Sequence, residues 1–196
     1  MRIAFVLLTC IAILILAPAC STGGTKRVDP DLDDDLGGTG IDSADARTIG
    51  SWMARSLVDN TEGRVPAGAT AVIVEVRNET RFFIDTGLLA QTVETEVMKG
   101  APGRFRWLAR TRIEDILRER EGKRSGLFED HQALGKLLGA QYLLTGDIRA
   151  ISKARKGDRS DYVKTFFTLI DAETSLKVWQ DSHEFKKVGK AGTIYR

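Results

Sequence analysis

The chain has 196 residues, 42% of them hydrophobic, a formal net charge of +2 and two cysteines. That length and apolar fraction suit one globular domain, and no nucleic-acid partner is expected because an N-terminal secretory signal sends the chain away from nucleic acid. With Cys10 inside an apolar leader and Cys20 just after it, a disulfide-stapled scaffold is excluded.

Met1 and Arg2 supply a positive start, residues 3–16 are almost wholly apolar, and Ala17-Pro18-Ala19 precedes Cys20. This is the order of a secretory signal. As a helix the apolar run spans about 21 Å, short of a hydrocarbon core of about 30 Å, so it reads as a leader to be removed. A cysteine directly after small residues resembles the lipobox of bacterial lipoproteins, with Ala17-Pro18 a departure from the leucine that is commonest there. The resemblance makes residues 1–19 a lipoprotein signal peptide and Cys20 the lipidation site. Ser21 in place of aspartate fits an outer-membrane protein, anchored by its lipid with the domain facing the periplasm.

Residues 20–42 are rich in Ser, Thr, Gly and Asp, and residues 21–41 carry a net charge of −3, leaving +4 on the rest of the mature chain. Such a composition cannot bury enough surface to offset ordering entropy, so it reads as a flexible acidic tether ahead of a globular domain over 43–196. Asp31, Asp33 and Asp35, with Asp42, imitate calcium-loop spacing, but Leu36 stands where that loop needs glycine. A solvated linker is the better reading.

Asp42 or Ser43 caps a helix expected over 43–60, with Ile49, Trp52, Met53 and Leu57 as its apolar stripe. Residues 71–76 read as a central strand, apolar on both faces until Glu75. A second helix is expected over 85–99 with Leu89, Val93 and Val97 inward, then a short strand over 105–108. Residues 112–121 read as a helix burying Ile113, Ile116 and Leu117, with an ion pair between Glu114 and Arg118. Another helix is expected over 129–138. Residues 142–151, 161–171 and 176–187 then alternate as strands linked by hairpins, an antiparallel meander. The expected fold class is α/β of the α+β kind: a single mixed sheet, a C-terminal three-strand meander and flanking helices.

Chemistry is sparse. His131 and His183 sit in no ligand-spaced cluster, and neither accompanies a nucleophile motif, so no metal, cofactor or enzymatic activity is expected. One surface feature stands out. Lys153, Arg155, Lys156 and Arg159 fall in a segment, 152–159, read as an exposed hairpin loop, either a solubilising turn or a dock for an acidic partner surface or anionic headgroups.

Several stretches together resemble one family. They are residues 36–43 (Leu-Gly-Gly-Thr-Gly-Ile-Asp-Ser), Val76-Arg77-Asn78-Glu79-Thr80, Ile84-Asp85-Thr86, residues 119–126, residues 142–148 and the strand through Val178-Trp179. Over roughly residues 28–196 the chain is similar to the LpoB-like penicillin-binding-protein activators, outer-membrane lipoproteins. The resemblance implies a non-catalytic regulator that binds a bifunctional penicillin-binding protein, a peptidoglycan synthase, and stimulates it. It also implies a domain like the N-terminal domain of TolB. The tether departs from that family's long one: residues 21–42 extend at most about 75 Å. The alternative is an export or structural role resembling curli-secretion lipoproteins of the CsgG type. A monomer fits the activator and a ring fits export.

Overall fold

The computed structural model describes residues 27–32, 38–129 and 134–190. Cys20 and the leader lie outside the described residues. Helix α1 (Ser43–Thr61) is followed by β1 (Ala69–Asn78), α2 (Thr86–Gly100) and β2 (Phe105–Trp107). A 3-10 turn (Arg110–Arg112) leads into α3 (Ile113–Arg124), and then come β3 (Tyr142–Arg155), β4 (Asp158–Asp171) and β5 (Lys177–Lys190). The sheet runs β2-β1-β3-β4-β5. β1 is parallel to both neighbours, and β3, β4 and β5 form the antiparallel meander. This is the mixed α+β sheet expected from the sequence.

Local chemistry starts each helix. The Asp42 carboxylate accepts from the Asp45 amide at 2.9 Å while the Asp45 carboxylate accepts from the Asp42 amide at 3.1 Å, a reciprocal capping box. Asp85 caps α2 by accepting from the Leu88 amide at 2.9 Å. Both helices lie on one face of the sheet, α1 over β5 and α2 over β1. Ile49, Met53 and Leu57 from α1 and Leu89, Val93 and Val97 from α2 close on Leu144, Ile148, Val163, Phe167 and Leu169. Each such side chain gains about 1.5–3 kcal/mol from leaving water, which makes this layer the dominant stabilising element. The helices cross at Gly50, where a Cβ would collide with Thr92.

Trp52 departs from the expected stripe. It sits at the edge of the helix layer, 50% exposed, with its ring edge-on to His183 at 6.1 Å. A third of a turn separates it from the buried line of Ile49, Met53 and Leu57, and that angle decides its exposure. β1 also departs: Val72 is buried, but a bulge between Ile73 and Val76 turns Val74 out to 59% exposure.

α3 is peripheral. Ile113 and Ile116 are half-buried, Leu117 is 51% exposed, and Arg118 pairs with Asp115 at 3.2 Å instead of Glu114. The helix expected over 129–138 is not found where it can be examined: residues 134–138 are irregular, and residues 130–133, including His131, lie outside the described residues. Side chains take the carbonyls that helix amides would need. Arg120 donates to the Gly135 carbonyl, Arg110 to that of Leu138 at 2.6 Å, and Thr70 to that of Gly139 at 2.8 Å. Gly135 within the run weakens the helical alternative by about 1 kcal/mol.

Candidate interaction surface

β3 keeps company with β1 only as far as Ile148, opposite Asn78. Beyond that point residues 149–155, 158–164 and 184–190 continue as a three-stranded blade. The segment 152–159, expected as a loop, is mostly strand. Only Lys156 and Gly157 turn the chain, with φ of 48° and 86°, the two-residue geometry that matches strand twist. Lys153, Arg155 and Lys156 are exposed there. Arg159 does not join them: its side chain is 18% exposed and turns to the opposite face, its Nε 3.6 Å from Asp161.

That inner face is sealed by the chain leading into α1. Asp161 has no solvent exposure, accepts from the buried Thr39 hydroxyl and pairs with Arg81 Nη2 at 2.7 Å. Burial alone would raise the Asp161 carboxyl, but hydrogen bonds from Ser152 and Thr39 and the Arg81 guanidinium outweigh it and hold the group below the usual carboxylate range. Thr39 also lies over Gly189, 3.5 Å from where a Cβ would stand. Next along the blade, Lys187 Nζ meets Asp42 at 2.5 Å and Asp45 at 2.6 Å. Burial would lower the Lys187 ammonium, yet these carboxylates raise it. Arg81 is placed by the turn after β1: Asn78 Oδ1 accepts from the Thr80 amide at 2.9 Å and Asn78 Nδ2 donates to the Phe82 carbonyl at 2.7 Å.

Among the described residues, no helix covers the outer face. Cross-strand register places Ile151, Tyr162 and Lys186 in one row, Lys153, Ser160 and Val188 in the next, and Arg155, Asp158 and Lys190 at the end. Ile151 is 63% and Val188 73% exposed. Lys164 and the Tyr162 hydroxyl both engage Glu184, at 2.6 and 2.7 Å, and Arg149 engages Glu79 at 3.0 Å. Lys153, Arg155, Lys156, Lys186 and Lys190 form no ion pair among the described residues. Lys186 and Lys190 were not singled out from the sequence. Their signal was the alternation of Glu184, Lys186, Val188 and Lys190, which becomes meaningful only once the register is known.

Elsewhere, Ser56 donates to the Asp181 carboxylate and accepts from Trp179 Nε1 at 3.3 Å. His183 Nδ1 makes no hydrogen bond. Burial raises the Glu94 carboxyl in a cleft between α2 and the β1–β2 edge lined by Ala90, Trp107 and Arg110. Among the described residues no group of three His, Cys, Asp or Glu side chains can hold a metal ion, and no helix is long and apolar enough to cross a membrane.

Among solved structures, the LpoB C-terminal domain from Escherichia coli aligns at 14% identity over 72% of this chain and 98% of that one, with a TM-score of 0.42. The LpoB C-terminal domain from Salmonella enterica aligns at 13% identity over 72% and 98%, with a TM-score of 0.40. The solution structure of E. coli LpoB aligns at 11% identity over 90% and 87%, with a TM-score of 0.42. No curated protein matches the chain in sequence. The family model described as peptidoglycan-synthase activator LpoB matches residues 43–185, which takes in both core helices, the whole sheet up to Phe185 and most of the blade. The chain belongs to the LpoB family of peptidoglycan-synthase activators.

Proposed function

We propose that this chain is a non-catalytic, lipid-anchored protein of the outer membrane that binds a bifunctional penicillin-binding protein and stimulates its peptidoglycan synthesis. The family match over residues 43–185 carries this reading. Cys20 carries the lipid in this account.

The packing of residues 38–42 shapes how such an activator works. Thr39 and Asp42 fasten the chain to the domain, so the domain's reach from a lipid at Cys20 is bounded by the length of chain from Cys20 to Gly38. Those nineteen residues span at most about 61 Å when fully extended. The synthase surface engaged by this domain therefore extends to within that distance of the outer membrane, plus the domain's own size.

Affinity capture from detergent-solubilised envelope after in-cell crosslinking tests the reading. Recovery of a bifunctional penicillin-binding protein with the wild-type chain is the expected result. Its absence, with the bait folded and acylated, contradicts the proposal.

A further inference from the structure

The blade's outer face has a composition that neither the core nor the capping of α1 requires. Ile151 and Val188 stand exposed, with Tyr162 between strands, and Lys153, Arg155, Lys156, Lys186 and Lys190 surround them without ion pairs among the described residues. Asp158 is the one carboxylate of the two terminal rows. Five free cations around a small apolar centre make a surface that favours an anionic, partly apolar partner.

The second observation is where the chain enters the fold. Thr39 hydrogen-bonds to Asp161 and lies over Gly189, and Asp42 pairs with Lys187, so the segment coming from Cys20 joins the domain on the inner face of this same blade. The preceding residues stay at that end: the Ser43 hydroxyl donates to the Pro30 carbonyl at 3.0 Å, and Arg47 pairs with Asp31 at the start of α1. β5 runs from Lys190 in the blade to Lys177, thirteen residues or about 43 Å away. The segment that leads from Cys20 thus joins the domain at the blade, and not at the Lys177 end.

We propose that the outer face of the blade docks on anionic phospholipid headgroups of the membrane that carries the anchor, with Lys153, Arg155, Lys156, Lys186 and Lys190 contacting phosphate and Ile151 and Val188 entering the interface. This rests on the reading of Cys20 as the lipid site. The lipid at Cys20 supplies the attachment, and the polybasic patch with its apolar centre supplies the orientation of the domain on the surface. The domain is held down on its anchor, and a partner that competes for the blade releases it.

Residue-resolved amine acetylation of the acylated wild-type chain in vesicles is the test. Phosphatidylcholine vesicles are compared with vesicles that also contain phosphatidylglycerol. The expected result is that phosphatidylglycerol slows labelling of Lys153, Lys156, Lys186 and Lys190 at least fivefold while Lys177 is unchanged, and that high salt reverses the effect. Equal rates in both vesicles, or equal slowing at Lys177, overturn the proposal. Slowing that needs an added peptidoglycan synthase and not phosphatidylglycerol overturns it in favour of a protein contact. A chain whose N-terminal peptide lacks the lipid mass contradicts the anchor instead. In that case co-sedimentation with phosphatidylglycerol vesicles supports the patch, and none overturns it. Stimulation of a synthase is a separate readout, so failure of the activator reading leaves the labelling result interpretable.

Discussion

Asp161 is a fully buried carboxylate held by Thr39 and Arg81, with Arg159 nearby. Asp161→Ala leaves Arg81 facing a void, and is expected to destabilise the domain by about 3 kcal/mol in urea unfolding, the low end for breaking a buried pair because Arg81 keeps partial water contact. The folded carboxyl titrates below its ordinary value, so its contribution is complete above the unfolded value of about 3.9 and fades as pH falls through the folded one. Stability measured against pH should therefore decline below about pH 4, and Asp161→Asn should remove that part of the decline. None of this was visible beforehand. The partners of Asp161 sit at 39, 81 and 159, and only the folded sheet brings them together. The same holds for Arg159, which shares a charge run with Lys153, Arg155 and Lys156 but turns to the opposite face.

Secondary-structure elements follow their local signals closely wherever caps and periodicity agree. Asp42 and Asp85 mark the starts of α1 and α2, and the four-residue spacing of Leu89, Val93 and Val97 marks the buried side of α2. Two departures have physical causes. The run at 134–138 is irregular: Arg120 and Arg110 donate to the Gly135 and Leu138 carbonyls, Thr70 to that of Gly139 just beyond, and Gly135 lies within it. The charged run at 152–159 hid the strand period, since one face of the blade is cationic and the other is covered by residues 38–42. Packing between elements is tested at Gly50. Gly50→Ala forces a methyl into Thr92, and despite a gain in helix propensity of up to about 1 kcal/mol the variant should be destabilised by about 1–2 kcal/mol in thermal unfolding. Combining it with Thr92→Ser, which removes the clashing methyl, should recover most of that loss.

Over the whole molecule the sequence was informative about class and order and silent about attachment. The mixed sheet, the meander and the helix layer follow from alternation, hairpin turns and amphipathic spacing, all of which are local. The boundary between tether and domain is not local. Residues 38–42 look like linker by composition, yet Thr39 is buried and Asp42 holds both the start of α1 and Lys187. A chain beginning at Ser43 is therefore expected to melt lower than one beginning at Gly38, by about 3 kcal/mol or roughly 6–12 °C in Tm, for loss of the cap and the Thr39–Asp161 bond. Core truncation sets the scale for comparison: Phe167→Ala, at a site with no exposure, should cost about 3–5 kcal/mol in the same assay.

The activator reading itself is tested most directly by the rate at which a purified bifunctional penicillin-binding protein polymerises and crosslinks its lipid-linked precursor with and without this chain. The account predicts a severalfold, saturable rise in that rate on adding the folded chain. A rate unchanged at concentrations that saturate binding, or no binding at all to any synthase of its own envelope, would contradict it.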